Sequence, residues 1–455
     1  MELYSPKNLG NRHSSGADGA SPLIVSVIML CLCVGLLAAY IYSPVVAIAL
    51  SVSLLVAIVC LQRVQLFMVA IFALMPFPIS IVGAESAVNV SPSDCIAALF
   101  MLMLPMYLLG GKRISLGPMG VPLAIFLVIN ITSGCLFFDG FTTFVTLLRV
   151  FMMTAVALTV YSSSQLSLTT MRRCLTSFLV GINVLLAFCF AALITGGMGA
   201  AEYTLGIQKN TLGITFGCAI VISIGLLIYG GKDVKSRNWI LATLVGATFG
   251  IVITLSRGSW IATGVGVLFL LLRARRIRAF LIIVIVLIPS VWLVWTRLPS
   301  ESIEYATDIS LDSYNIHSRT RVMEQAMKLY QSSPIYGVGI GLRKSIEPHN
   351  IIVSTLAETG IVGLIGLLLF VGGGFYTFFR AGRAARGNVR ATEIVVIASA
   401  VYIVSLGHAL MDVYWRRGTP FMAWACVGMC IYIAKSSGTL LGESVSRQNA
   451  APAIE

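Results

Sequence analysis

Apolar runs of about 20 residues recur along this chain from residue 22 to residue 435, with only short polar breaks between them. A helix needs about 20 apolar residues to cross about 30 Å of hydrocarbon, so each run is long enough to span a membrane. Only 11% of the residues are charged, whereas a soluble globular protein carries roughly a quarter. The pattern therefore predicts an all-α polytopic membrane protein.

We expect about 12–14 transmembrane helices with one larger outward-facing loop. The predicted spans cover residues 22–42, 44–60, 64–82, 93–109, 118–137, 142–161, 174–195, 211–230, 238–255, 259–272, 277–296, 351–379, 393–413 and 419–435. The sequence thus divides into a cytoplasmic tail at 1–21, an N-terminal transmembrane bundle at 22–296, the outward loop at 297–350, C-terminal transmembrane helices at 351–435 and a cytoplasmic tail at 436–455. The first tail carries no cleavage site after an apolar core, so we do not interpret it as a signal peptide.

The positions of the basic residues predict the orientation. With both termini in the cytoplasm, most of the 31 Lys and Arg residues fall in cytoplasmic turns and tails, as the positive-inside rule requires. Lys209 is the only basic residue among the early outward turns. The net charge of +13 is therefore mainly a topology signal, and dispersed basic residues without an aromatic-lined face do not indicate a nucleic-acid partner.

Several arginines lie on the outward side, where topology does not require them. They are Arg257, Arg319, Arg321, Arg416 and Arg417, with Arg343 and Lys344 nearby. Positive charge at these places favours a site for an anionic lipid head group, because a guanidinium offers a planar fork of donors to phosphate oxygens. For Arg257 the alternative is a side chain that reaches the membrane interface, with Trp260 as an interfacial anchor.

A helix is predicted over residues 318–331, with Ser318 as its N-cap and Pro334 preventing its continuation. Arg319 and Arg321 would lie in its first turn, beside exposed backbone N–H groups that can bind phosphate. Two residues apart, they point to different faces, and we expect Arg321 to be the main ligand. Solvated surface arginines remain the alternative.

The loop ends at a histidine that is a candidate general base. Pro348 suits the first position of a helix, which would place His349 in the opening turn of the next span, where a neutral ring able to accept a proton is expected. Asn350 follows it, and Glu358 lies within the same helix, where it would orient the site or pair with an arginine. Gly360 and Gly363 would let a neighbouring helix pack tightly.

Other residues support this site or leave alternatives open. The glycine run at 337–341 can aim N–H groups at an anion or can be a flexible loop. Arg149 lies within a span, where it would bind a substrate phosphate or pair with Asp412. His408 and Asp412 share a helix face, as a supporting network or a structural clamp. All ten cysteines fall in or beside apolar runs, so we predict no disulfide framework and no thiol metal site. The sequence contains no Walker loop and no HExxH pattern, and we predict no metal and no cofactor.

Taken together, these residues resemble the O-antigen ligase and O-antigen polymerase superfamily of bacterial membrane glycosyltransferases. The resemblance rests on Ser256-Arg257-Gly258, on Arg321 followed by the glycine run, and on His349-Asn350 with the later Gly360 and Gly363. The spacing of the last group resembles the motif of the ligases. The predicted number of spans exceeds the usual number in ligases.

The resemblance implies a metal-independent, inverting transfer of a glycan from undecaprenyl diphosphate to an acceptor hydroxyl, on lipid A core or a related acceptor, at the periplasmic face of the bacterial inner membrane. Residues 297–350 would be the periplasmic catalytic loop, in which the resemblance implies His349 as the base and Arg257 and Arg321 as ligands of the diphosphate. From their outward positions we add Arg319 and Arg416 as further candidate ligands of the diphosphate. A polymerase of O-antigen or exopolysaccharide is the alternative within the superfamily. A transporter of lipid-linked oligosaccharides is the alternative outside it, although neither paired repeats nor broken helices are evident in the sequence.

Overall fold

The computed structural model describes most of the chain after residue 114. The described residues are 64–77, 115–163, 166–202, 204–229, 234–274, 288–289, 292, 296, 314–342, 346–412, 414–415 and 418–436. Every regular element among them is helical, and the prediction of an all-α polytopic membrane protein is confirmed. They all belong to one compact unit, whereas a second unit, Met1–Gln62 with Leu99–Ile114, lies outside the described residues.

The twelve described α-helices are numbered here in chain order. They are α1 Val64–Leu74, α2 Gly120–Leu136, α3 Gly140–Phe151, α4 Ala157–Tyr161, α5 Leu168–Glu202, α6 Lys209–Tyr229, α7 Val234–Ile253, α8 Arg257–Ala274, α9 Tyr314–Ser332, α10 Ile351–Ala384, α11 Val389–Ala409 and α12 Thr419–Lys435. A π-helical turn, Met152–Val156, joins α3 to α4 so that the two form one membrane-length element. Short 3₁₀ turns lie at Gly117–Met119 and Thr204–Gly206.

Seven of the described helical segments are long and apolar enough to cross a membrane, and three shorter apolar helices accompany them. Each of these ten lies where the sequence predicts a span. The predicted spans at 22–42, 44–60 and 93–109, and nearly all of 277–296, fall outside the described residues. The surrounding turns are short, so the bundle is held by direct packing between consecutive helices.

The centre of the bundle is formed by α6, α11 and α12, which are buried along most of their length. A helix that is apolar on all sides is favoured in such a position. Glycines allow close packing here, because a side chain at Gly225 would run into Ile397 and one at Gly266 would run into Val404. The ends of these central helices are therefore fixed in position relative to one another.

Two of the long helices are broken, which contradicts the expectation of unbroken helices. Gly197 in α5 and Gly360 in α10 have φ of 70° and 65°, a left-handed conformation that glycine adopts without steric cost. Both breaks lie close to a helix end. Residues 361–384 of α10 are by themselves long enough to cross a membrane, so the break sets apart only the first part of the helix.

Candidate active site

A cavity of about 330 Å³ lies at one end of the bundle. Its lining residues come from four helices and the connectors beside them: Lys209, Asn210, Leu255, Ser256, Arg257, Gly258, Ile261, Arg319, Met323, His349, Asn350, His408, Leu410, Met411 and Asp412. Helices α6, α8 and α10 begin at this cavity, so their positive ends point towards it. Backbone and side chains together therefore favour an anionic ligand in the cavity.

His349 lies two residues before the start of α10 at Ile351 and not in its first turn, so the prediction that Pro348 begins the helix is wrong. Asn350 is the N-cap, and its side chain accepts hydrogen bonds from the backbone N–H groups of Ile352 and Val353 at 2.9 and 3.2 Å. Asparagine is a strong N-cap because its carbonyl oxygen satisfies amides that the helix leaves unpaired. The cap at Asn350 explains why the helix starts at Ile351, two residues after His349.

The imidazole of His349 contacts the carboxylate of Asp412. Its Nδ1 lies 2.6 Å from Oδ1 of Asp412, and the side chain of His349 is 29% exposed while that of Asp412 is only 8% exposed. Because an ionised carboxylate only accepts hydrogen bonds, Nδ1 carries the proton in this pair. The other ring nitrogen, Nε2, is thereby left as the acceptor, which is the arrangement of a base oriented by a carboxylate.

His408 lies on the far side of the same carboxylate. Its Nε2 is 3.9 Å from Oδ2 of Asp412, too long for a hydrogen bond, and its side chain is nearly as buried as that of Asp412. The two side chains are therefore close, as predicted, but they do not share a helix face, because α11 ends at Ala409 and Asp412 lies in the connector after it. The pair places Asp412 between two imidazoles at the C-terminal end of α11.

The connector after α11, residues 410–418, carries Asp412 and is anchored in the bundle by aromatic packing. Trp415 stacks on Phe126 of α2 with ring centroids 5.6 Å apart. Phe126 in turn stacks on Phe370 of α10, and Phe370 on Trp424 of α12. Such contacts fix a segment that lacks regular secondary structure.

The same connector is held from the other side by polar contacts. The side-chain amide of Asn350 donates to the carbonyl of Leu410 at 2.9 Å, and Nη1 of Arg319 donates to the carbonyl of Met411 at 3.2 Å. Three consecutive residues of the connector thus contact Asn350, Arg319 and His349 in turn. Burial raises the pKa of the Tyr414 hydroxyl in this connector, so that group remains neutral.

Arg257 is the first residue of α8 and lines the cavity. The turn that precedes it is tight, with Leu255 at φ 49°, a conformation rarely adopted by a residue with a side chain. The ring N–H of Trp260 donates to the carbonyl of Ile251 across this turn at 2.8 Å. Trp260 therefore stabilises the turn that positions Arg257. The alternative in which Trp260 is an interfacial anchor did not anticipate this hydrogen bond.

Arg319 and Arg321 are both exposed, but Arg319 lines the cavity and Arg321, also described, does not. The expectation that both lie in a first turn is wrong, because the described part of α9 already begins at Tyr314 and the two arginines lie beyond it. The expected difference between their faces holds, but the arginine beside His349 and Arg257 is Arg319. Ser318 lies inside α9 and is therefore not its N-cap, contrary to the prediction.

The glycine run after α9 packs against the break in α10. The amides of Val338 and Gly339 donate to the carbonyls of Ala357 and Glu358 at 2.9 and 3.0 Å, and the amide of Gly341 donates to Oε1 of Glu358 at 3.2 Å. These backbone donors therefore stabilise the loop by binding acceptors of α10, and they do not point at an anionic ligand. Glu358 is the residue that ties this loop to α10.

The two glycines of the later spacing also have a different role from the one predicted. A side chain at Gly360 would meet the backbone of Ile335 and Tyr336, and one at Gly363 would meet Thr359 of its own helix. The close approach at Gly360 is therefore made by the glycine-run loop and not by a neighbouring helix.

Of the remaining predicted site residues, one lies away from the cavity and one lies outside the described residues. Arg149 lies half-buried in the last turn of α3 and is not among the lining residues described. Arg416 and Arg417 lie outside the described residues. Within the described part of the chain, no group of three His, Cys, Asp or Glu side chains is arranged to hold a metal ion.

Two polar cavity residues were not selected as site residues from the sequence, Lys209 and Asn210. The available signal was Lys209, a basic residue in an early outward turn that is otherwise acidic. A single basic residue at a helix start has no distinctive spacing, so only its position beside Arg257 in three dimensions singles it out.

The model of a protein family described as O-antigen ligase matches residues 242–368. This part of the chain is therefore similar to the O-antigen ligase family, which supports an assignment to the O-antigen ligase and polymerase superfamily. The superfamily match runs from within α7 to within α10 and therefore includes Arg257, Arg319, His349 and Glu358. Lys209, His408 and Asp412 lie outside the matched residues but line the same cavity. None of the curated proteins compared with the chain matches it.

Proposed function

We propose that this protein is a glycosyltransferase that moves a glycan from undecaprenyl diphosphate to an acceptor hydroxyl at the periplasmic face of the inner membrane. The proposal rests chiefly on one observation: His349, oriented by Asp412, lines the same cavity as Arg257 and Arg319. A base and two cations around one cavity are what transfer from a lipid diphosphate requires. The superfamily match covers three of these four residues.

His349 acts as the general base. Its Nε2 accepts the proton of the acceptor hydroxyl while the hydroxyl oxygen attacks the anomeric carbon of the donor sugar. Asp412 holds the ring in the tautomer that leaves Nε2 free to accept and stabilises the imidazolium that results. The attack is a single displacement, so the configuration at the anomeric carbon is inverted.

Arg257 and Arg319 bind the diphosphate and stabilise its departure. As the bond between the anomeric carbon and the bridging oxygen breaks, its electron pair passes to the diphosphate oxygen, where guanidinium groups are suited to receive the charge. The positive ends of α6, α8 and α10 add to this field. In this proposal Arg319 takes the role that the sequence suggested for Arg321, and Arg416 keeps its predicted role as an additional ligand.

The described basic residues support placing the cavity on the outward side. Helices α8 and α10 begin at the cavity and carry Arg273 and Arg383 in their last turns, at the opposite end of the bundle. Arg390 lies in the first turn of α11, whose other end reaches the cavity. By the positive-inside rule, the end with these arginines is cytoplasmic.

The acceptor decides between two reactions within the superfamily. Transfer to lipid A core would make the protein an O-antigen ligase, and transfer to another carrier-linked repeat would make it a polymerase of O-antigen or exopolysaccharide. The base and the diphosphate ligands proposed for this cavity would serve both reactions. Analysis of envelope glycans in a deletion strain separates them, since a ligase defect leaves long carrier-bound chains and a polymerase defect leaves short capped ones.

The role of His349 is tested with the full-length protein reconstituted with a lipid-linked glycan and an acceptor. We expect His349→Ala to reduce transfer by about 10²–10⁴-fold, the usual contribution of a positioned base. The matched control is His317→Ala, because His317 is exposed on α9 and does not line the cavity.

Three outcomes would contradict the proposal. Equal losses in the two histidine variants would remove the evidence for a base at His349. Full transfer by His349→Ala would exclude His349 as the base. Movement of the lipid-linked glycan across the bilayer without any transfer, in both the unmodified protein and His349→Ala, would support the transporter alternative instead.

A further inference from the structure

The cavity contains a third cation that the proposed function has not used. Lys209 is the first residue of α6, is half-buried and lines the cavity together with Arg257 and Arg319. These three cations come from three different helices. The only acidic residue among the described lining residues is Asp412, which already contacts His349.

The position of Lys209 relative to Arg257 is fixed by hydrogen bonds between their helices. The next residue, Asn210, accepts a hydrogen bond from the hydroxyl of Ser256 through its side-chain oxygen at 3.0 Å. Its backbone carbonyl accepts one from the hydroxyl of Ser259 at 3.3 Å. The two helix starts therefore form one rigid edge of the cavity, with Lys209 and Arg257 on it.

The charge of the proposed substrate changes during the reaction. In the donor, each phosphate of the diphosphate diester carries about one negative charge, which the two arginines can match. After transfer, the terminal phosphate is a monoester and carries about −1.5 to −2 at pH 7. The additional charge exists only once the bond to the sugar is breaking.

We propose that Lys209 stabilises this additional charge on the departing diphosphate. The inference rests on the proposed function and deepens it, because it assigns the cavity to a prenyl diphosphate product as well as to the donor. An interaction that is stronger in the transition state than in the bound donor raises kcat without a matching effect on KM. Lys209 therefore differs from an arginine that only binds the donor.

The test compares variants of the full-length reconstituted protein. We expect Lys209→Met to lower kcat about tenfold, with KM changed by less than about threefold, because a hydrogen bond to a charged group is lost. Inhibition by added farnesyl diphosphate should weaken about tenfold in the same variant. Lys209→Arg should recover most of kcat, and Lys209→Gln provides a second neutral variant in case Lys209→Met is poorly folded.

The matched control is Lys328→Met, since Lys328 is exposed on α9 and does not line the cavity. Unchanged kcat in both neutral Lys209 variants, an equal loss in Lys328→Met, or a rise of KM with unchanged kcat would each overturn the proposal. Any of these results would leave the proposed transfer itself intact.

A separate measurement distinguishes failure of this inference from failure of the proposed function. If the unmodified protein transfers no glycan, the proposed function fails, and direct binding of farnesyl diphosphate still tests the cavity. Binding about tenfold weaker in Lys209→Met than in Lys328→Met supports the diphosphate site, and equal binding in the two variants overturns it.

Discussion

Individual side chains of the cavity are positioned by local features that carry no obvious mark in the sequence. His349 precedes α10 because Asn350 caps the helix, and Arg257 is fixed by a turn in which Leu255 adopts a positive φ. Each position depends on a specific hydrogen bond or dihedral angle. The role of a cavity residue is therefore tested most directly when a nearby residue of the same type, outside the cavity, can be replaced as a control.

Arg319 and Arg321 provide such a pair. We expect Arg319→Gln to lower kcat/KM by about 10–100-fold, because a charge-assisted contact with phosphate is worth about 1.5–3 kcal/mol. Arg321→Gln should change it by less than about threefold, since this residue is exposed and does not line the cavity. Steady-state kinetics with the same donor and acceptor provide the measurement. A larger loss in Arg321→Gln would return the phosphate role to Arg321.

At this scale the sequence indicated which residue types line the cavity but not how they are arranged. The choice of histidine and arginine as base and phosphate ligands follows from residue type and from outward location. The choice between Arg319 and Arg321 depends on where α9 begins and on the contact of Arg319 with Met411, and neither is encoded in local spacing. Lys209 belongs to no recognisable motif, so only the three-dimensional structure reveals that it lies near Arg257.

Among the helices, α10 determines how Arg319 and His349 are brought together in the site. Its break at Gly360 provides the surface on which the glycine-run loop packs, and that loop connects the helix carrying Arg319 to the residues leading to His349. A left-handed residue inside a helix costs about 1–3 kcal/mol for any residue except glycine. The break is therefore the place where a small substitution should disturb the whole loop.

Gly360→Ala should lower the thermal midpoint of the detergent-solubilised protein and reduce transfer. Its side chain would combine an unfavourable φ with contact against the backbone of Ile335. Gly372→Ala is the matched control in the same helix, because nothing lies within 4 Å of the added carbon and alanine favours a helix by up to about 1 kcal/mol. Tryptophan fluorescence during heating measures both midpoints. Equal midpoints would show that the break tolerates a side chain.

The described helices themselves were predictable because hydrophobic length is the dominant signal in a membrane protein. The break in α10 was not, because an isolated glycine in an apolar run is equally compatible with tight helix packing. The decisive information is the backbone of Ile335 and Tyr336, which comes from another part of the chain.

For the molecule as a whole, function depends on which side of the membrane contains the cavity. The distribution of described basic residues supports an outward cavity, and a lipid-linked donor assembled inside would have to be presented at that face. Orientation is a property of the complete bundle and is measured independently of catalysis.

Labelling of introduced cysteines with a membrane-impermeant maleimide tests this orientation in intact cells. In a background with all ten native cysteines replaced, Tyr336→Cys should be labelled without permeabilisation, because Tyr336 lies in the exposed loop after α9. Arg386→Cys, in the turn after α10, should be labelled only after permeabilisation. The reverse pattern would place the cavity in the cytoplasm.

The connector after α11 has a consequence for how such a protein can diversify. Leu410, Met411 and Asp412 contact Asn350, Arg319 and His349 respectively, so this short segment sets the spacing between the proposed base and the proposed phosphate ligand. An insertion or deletion within it would put all three groups out of register at once. Relatives that use other acceptors are therefore expected to differ in the cavity rim around this segment while keeping the length of the segment constant.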